Sequence, residues 1–363
     1  MRETKLFDKV YGSILGAAIG DAFGIRVEMM HYKDIEAQYG LVDHFEPLPP
    51  RRPSAQPPME LWYPFGEQPK NVAGYHPLGR WSPEVGAYTD DMRYRLMAIH
   101  TMLKKGGPIT GQDFAAAWLN YRLAVEGAEE YEPTLRWDGP ERAYARIMAS
   151  FDRLMERVKE QRPCFSGWDG PIGLMHAGDP EAAAANGYAM AVAIATALAP
   201  GTTIEDVVAN VLAYSDNLGP HAAEFRGRVE RLMDLAAGCR SVLDLREPFY
   251  NEFLIRFPPW DSVWTLEMVP CALAVCSIAQ DPRDAIVGGT MMGRDADTIV
   301  GIIGELMGAL HGASAFPADW AARVAQLNPK PDMAQMAEDL SRLVAARALA
   351  QQARSAALLS MAQ

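Results

Sequence analysis

Residues 293–312 read GRDADTIVGIIGELMGALHG, and the reading of the fold turns on them. Two carboxylates, Asp295 and Asp297, stand two residues apart, and the hydroxyl of Thr298 follows. An apolar run comes next, punctuated by Gly301, Gly304, Gly308 and Gly312 at spacings of three and four. That spacing gathers the glycines on one face of a helix. A glycine inside a helix costs about 1 kcal/mol relative to alanine, so several together predict the close approach of another backbone. The stretch reads as a short acidic loop at the head of a buried helix over 298–312.

A second stretch answers it. Residues 11–28, YGSILGAAIGDAFGIRVE, carry Gly12, Gly16, Gly20 and Gly24 four apart, with Asp21 and Glu28. A helix over 6–23 is expected to cross the 298–312 helix through the two glycine faces. A third stretch, YTDDMRYRLM, sets Thr89, Asp90 and Asp91 at the head of another helically periodic segment. An Asp or Thr at a helix start is most simply an N-cap. Taken together, however, the clusters offer four carboxylates and two hydroxyls at the heads of helices expected to be buried. Carboxylates so placed repel one another unless they are protonated or neutralised. A divalent cation neutralises them, and a donor set without histidine or cysteine selects magnesium, manganese or calcium rather than zinc.

The rest of the chain fits one helical domain over residues 1–363. Periodicity and start signals predict helices near 91–105, 110–124, 140–162, 180–198, 203–215, 220–237, 265–279 and 281–290, and two more after Pro317. Two-residue alternation is almost absent. The segment 164–180, CFSGWDGPIGLMHAGDP, reads as a loop. Ten prolines fall between Phe45 and Glu84, which rules out a long helix there and marks a long loop or insertion. The formal charge of −12 argues against binding nucleic acid or an anionic membrane. No run of about twenty apolar residues stands for a membrane span. The first residues, MRETKLFDK, lack a secretory leader, and four cysteines without a C-x-x-C pair suit a reducing compartment. A cytoplasmic location is the expectation; the oligomeric state is open.

With these motifs in view, the chain resembles the ADP-ribosylglycohydrolase family, the group that includes the dinitrogenase reductase-activating glycohydrolases. GAAIGDAFGIRVE, YTDDMRYRLM and GRDADTIVGIIGELMGALHGA match its three motifs in order, and PIGLMHAGDPEAAA has the look of its middle segment. The resemblance implies an all-α orthogonal bundle with a two-metal site, holding two Mg2+ or Mn2+ ions. It implies hydrolysis at the anomeric carbon of a ribosyl or ADP-ribosyl compound, free or carried on a protein. Carried over residue by residue, the metal ligands are Thr89, Asp90, Asp91, Asp295, Asp297 and Thr298. Glu28 and Asp295 take the catalytic positions, with Trp168, Asp169, Gly170 and Gly293 on the substrate side. Asp21 is assigned to supporting the fold.

The chain also departs from the family pattern. Arg26 replaces a proline, Met92 a small hydroxyl residue, and Trp168-Asp169-Gly170-Pro171 an Asn-Gly-containing segment. With window 45–84, Arg26 and 168–171 are expected to form the wall facing the leaving group, and Trp168 or an aromatic between Trp62 and Trp81 to stack on a base. A nucleoside or other small ribosyl compound is therefore an alternative substrate. A non-enzymatic protein on the same fold and a magnesium-dependent prenyl or terpene synthase are the readings from other classes.

Overall fold

The computed structural model describes residues 1–56, 85–110, 113, 117, 170–184, 189–217, 222–254 and 263–361. These residues are helical, and the β contact among them is a single antiparallel bridge between His31 and Gly293. The order is α1 (Lys5–Gly24), α2 (Tyr32–Tyr39), α3 (Asp90–Lys105), α4 (Gly170–Leu174), α5 (Pro180–Ala184), α6 (Ala189–Ala197), α7 (Ile204–Ala213) and α8 (Ala222–Ala237). Then come irregular helical turns over 242–253, α9 (Val263–Ile278), α10 (Pro282–Thr290), α11 (Ala296–His311), α12 (Ala318–Leu327) and α13 (Met333–Met361).

Local chemistry sets the ends. Thr4 accepts a hydrogen bond from the Phe7 amide at 3.2 Å and caps α1. Thr203 and Asp206 close a capping box at the start of α7. Asp281 caps α10 through the Asp284 amide at 2.8 Å, ahead of Pro282. Gly106, at φ 73°, ends α3 in the left-handed region.

Differences from the expected elements have physical causes. The segment read as a loop contains α4, a single turn built on Gly170-Pro171. The expected helix over 180–198 is helical at Pro180–Ala184 (α5) and Ala189–Ala197 (α6), and residues 185–188 lie outside the described residues. Helix α2 was not anticipated: its cap is His31, whose Nδ1 accepts from the Lys33 amide at 3.1 Å, and eight residues carry little periodicity. The expected helix over 110–124 is described only at 110, 113 and 117, the last two helical, and the helix over 140–162 and residues 57–84 of the proline-rich window lie outside the described residues.

The two glycine-faced helices, α1 and α11, form the most extensive helix pair. A Cβ built on Gly304 would stand 1.9 Å from the Gly16 carbonyl oxygen, and one on Gly308 would stand 1.9 Å from that of Gly12. Gly16, Gly20 and Gly24 meet the backbone oxygens of Gly304, Val300 and Ala296 at 2.1, 2.0 and 2.1 Å in the same construction. Peptide therefore lies on peptide along the whole crossing. Around it, α3, α6, α9 and α10 contribute to one large apolar cluster. The second half of α13 projects from this body, with Leu349, Leu358, Leu359 and Met361 exposed. None of the described helices is long and apolar enough to cross a membrane.

Candidate metal centre

The crossing of α1 and α11 delivers the acidic residues to one end of the bundle. Glu28 lies in the turn that leaves α1, while Asp295 and Asp297 lie at the start of α11. Each of these three buried residues offers a carboxylate oxygen within 4.8 Å of the other two. The sequence reading gave Glu28 a catalytic role and left it out of the ligand set; the geometry groups it with Asp295 and Asp297.

The third motif is joined to them by side chains. Thr298 donates its hydroxyl to Asp91 Oδ2, bridging the heads of α11 and α3. Asp21 reaches from α1 to the same place and caps α3. Its Oδ1 accepts from the Thr89 amide at 2.8 Å, and its Oδ2 from the Thr89 hydroxyl and the Met92 amide, both at 3.0 Å. Thr89 Oγ1 in turn accepts from the Asp91 amide at 3.2 Å. Asp21 thus orients Thr89 and Asp91, the supporting part expected of it. Asp90 is the first residue of α3; its side chain, together with Trp168 and Asp169, lies outside the described residues.

The loop before α11 is held in an unusual backbone conformation. Gly293 and Arg294 are both left-handed, at φ 71° and 65°, and Met29 opposite them is left-handed at 63°. The Met29 amide donates to the Arg294 carbonyl at 2.6 Å, and the Arg294 amide donates to the Met30 carbonyl at 3.0 Å. A Cβ on Gly293 would lie 2.2 Å from the Met30 oxygen, so only glycine fits there. Gly293 is thereby placed by backbone packing. Left-handed non-glycine residues are strained and cluster at functional sites. Here they immediately follow Glu28 and precede Asp295.

Two buried ion pairs brace this end. Arg294 makes a two-pronged contact with Glu267 of α9, Nε to Oε1 at 2.8 Å and Nη2 to Oε2 at 3.0 Å. Arg95 of α3 donates from Nε to Glu305 Oε2 of α11 at 3.2 Å, while its Nη1 and Nη2 have no hydrogen-bond partner. Gly170 lies against this pair, since its Cβ would be 2.3 Å from Glu305 Oε1. Burial lifts the Glu305 carboxyl to about 7 against the opposing pull of Arg95. The sequence reading missed both pairs; their members are 27 and 210 residues apart and no local pattern announces them.

The described start of the proline-rich window lies along α2. Asp34 accepts from the Ser54 hydroxyl and, at 3.1 Å, from the Ala55 amide. Gln38 exchanges hydrogen bonds with the Arg52 backbone at 2.7 and 3.2 Å. Arg51 is half-buried; burial lowers its pKa, and the nearby charges of Tyr39 and Glu28 oppose the shift. Arg26, expected at the wall facing the leaving group, is held at the start of the 45–84 window; most of that wall lies outside the described residues. The Arg26 guanidinium turns to the carbonyls of His44 and Glu46 and clamps the loop.

The electrostatics follow from crowding. Desolvation, then Asp297, Asp91 and Glu28, push the Asp295 carboxyl well above the ordinary range. Desolvation, then Asp297 and Asp91, do the same to Asp21. Asp297 lies close enough to Asp295 to be the largest charge acting on it. Asp295 Oδ2 is buried without a hydrogen-bond partner. Hard oxygens, excess negative charge and an orphaned carboxylate oxygen fit a hard divalent cation.

The family model described as ADP-ribosylglycohydrolase matches residues 2–352, so the chain belongs to the ADP-ribosylglycohydrolase family. It is a hydrolase-like enzyme of the kind that cleaves glycosidic bonds. No curated protein matches. Among solved structures, a chain from an "ADP-ribosylglycohydrolase-related protein complex" is similar over 94% of this chain and 99% of its own, at 17% identity and a TM-score of 0.46.

Proposed function

We propose that the protein is a divalent-metal-dependent hydrolase acting at the anomeric carbon of an ADP-ribosyl or related ribosyl compound. The observation that carries this reading is the set of five buried carboxylates, Asp21, Glu28, Asp91, Asp295 and Asp297, in a chain that belongs to a family of glycosidic hydrolases. Glu28, Asp295 and Asp297 would hold one cation. Asp91 and Thr298, with Thr89 and Asp90 beside them, complete the donors for a second. Magnesium or manganese suits this oxygen set. Such a cation supplies Lewis acidity, lowering the pKa of water and engaging ribose hydroxyls.

The chain's own residues supply the rest. Asp295 and Glu28 are the carboxylates beside the water that such a cation would hold, one to take its proton and the other to position it. Glu28 reaches the site from the turn that follows α1, three residues before the His31–Gly293 bridge. Thr298 and Asp91 keep the two helix heads at fixed separation. Arg51, whose charge interacts with that of Glu28 from the loop, would favour a substrate bearing phosphate. Gly170, Trp168 and Asp169 would lie on the leaving-group side.

The test is a panel of ADP-ribosylated peptides, ADP-ribose esters and free nucleosides, assayed for ribosyl release with Mg2+, with Mn2+ and with EDTA. Metal-dependent release is expected, faster for the ADP-ribosyl compounds. Turnover unaffected by EDTA would refute the metal reading, and no turnover in protein shown to bind Mn2+ would favour a non-enzymatic role.

A further inference from the structure

We propose that Glu267 is a positioning residue for the candidate metal centre, acting through the backbone of Arg294; this rests on the functional reading above. Glu267 belongs to α9, not to the acidic motifs. It is buried and spends both carboxylate oxygens on Arg294. Arg294 is itself 1% exposed. Its side chain is fixed to α9, and its amide and carbonyl are fixed to the Met29–Met30 backbone. It is therefore the knot between three segments: the turn carrying Glu28, the loop carrying Asp295, and α9.

The conformation of that knot explains why a clamp is needed. At φ 65° Arg294 occupies a region that an L side chain with a Cβ enters only when its surroundings over-determine it. Its partner Met29, at φ 63°, is under the same constraint. If Arg294 relaxed to negative φ, its carbonyl would turn away from the Met29 amide, and Glu28 and Asp295 would part. A buried ion pair is a weak source of stability compared with apolar packing of the same volume. Its two-pronged geometry does fix direction. The guanidinium is held in one orientation, and through it the left-handed backbone one residue before Asp295. Tyr250 supports the same loop, donating its hydroxyl to the Met292 carbonyl at 2.8 Å.

This reading makes a background-dependent prediction. Glycine adopts the left-handed region freely, so with Arg294→Gly the backbone no longer depends on Glu267. Mn2+ affinity is measured by calorimetry in four proteins: wild type, Glu267→Gln, Arg294→Gly and the double variant. Amide hydrogen exchange at Met29 and Arg294 is followed in the metal-free forms. Glu267→Gln in the wild-type background is expected to weaken Mn2+ binding at least tenfold and to speed exchange of those two amides at least tenfold. In the Arg294→Gly background the same substitution should change either quantity by less than threefold. A Glu267 that acted only as a remote negative charge would weaken Mn2+ binding equally in both backgrounds, and that result overturns the proposal, as does unchanged exchange in Glu267→Gln. If Glu267→Gln does not fold, Glu267→Asp, which keeps the charge but shortens the reach, takes its place with the same expectations. Absence of Mn2+ binding by the wild type would sink the metal reading alone, because the exchange data decide the role of Glu267 without any metal.

Discussion

Replacing Gly304 by alanine tests whether the α1–α11 crossing is as tight as described. Alanine inside a helix is intrinsically better than glycine by about 1 kcal/mol, so propensity alone predicts a more stable protein. Sterics predict the reverse. The new Cβ would lie 1.9 Å from the Gly16 oxygen, roughly 1.4 Å short of the ~3.3 Å usual for a carbon–oxygen contact. The obstacle is backbone on a helix that itself has no room, since the Gly16 position is closed by the Gly304 backbone and by Phe316. The helices must move apart over several turns, and overpacking of this kind typically costs 1–3 kcal/mol, occasionally more. A net loss of about 2 kcal/mol is expected in urea denaturation, with weaker Mn2+ binding because Glu28 and Asp297 hang from the two separated helices. Gly227, exposed in α8 with nothing within 4 Å of a built Cβ, is the internal control. Gly227→Ala should stabilise by about 0.5–1 kcal/mol. Gly304→Ala at or above wild-type stability, with Gly227→Ala behaving as expected, would refute the close crossing.

Other substitutions test the site. Asp295→Asn should abolish Mn2+ binding in calorimetry yet raise the metal-free melting temperature, and more so at pH 8 than at pH 5. The sign follows from the raised Asp295 pKa: the wild-type carboxyl is tolerated while protonated and its contribution is lost as pH rises. Asp21→Ala removes three hydrogen-bond acceptances at the head of α3 and should destabilise by about 3 kcal/mol; a change below about 1 kcal/mol would contradict its capping role. Glu305, at about 7, is raised above its unfolded value, so its contribution is present below about pH 4.5 and fades as pH rises toward 7. The stability difference between wild type and Glu305→Gln should therefore shift by up to about 3 kcal/mol across that window, and a pH-independent difference would count against it. Arg51→Ala should raise KM for an ADP-ribosyl substrate more than for a free nucleoside, with kcat little changed; equal effects on both would remove Arg51 from phosphate recognition.

Much of this was legible because it is periodic or local. Glycines at four-residue spacing in 12–24, with Gly304 and Gly308, announced the α1–α11 crossing, whereas Gly301, expected on the same face, lies against the Arg95 guanidinium and Gly312 against the Asp8 side chain. Thr89, Asp90, Asp91, Asp295, Asp297 and Thr298 stood out as hard-oxygen clusters at helix heads. What was not legible depends on pairing across the fold. Glu267 looks like any acid in an apolar helix until Arg294 is placed beside it. Arg26 stands out in the sequence as an unusual residue, but its bonds to the His44 and Glu46 carbonyls depend on a loop whose course no local pattern gives. The grouping of Glu28 with Asp295 and Asp297 required the His31–Gly293 bridge, which leaves no two-residue alternation to read.

The glycine crossing has one more consequence. Where helices meet through side chains, their separation varies with whichever residues fill the seam. Along α1 and α11 the spacers are the peptide groups themselves, at Gly12, Gly16, Gly20, Gly24, Gly304 and Gly308. The distance between the helix ends that carry Glu28 and Asp297 is then set by the thickness of the main chain, which no substitution elsewhere can alter. The protein's ruler is its backbone, and the surrounding sequence is free to drift without rescaling the site.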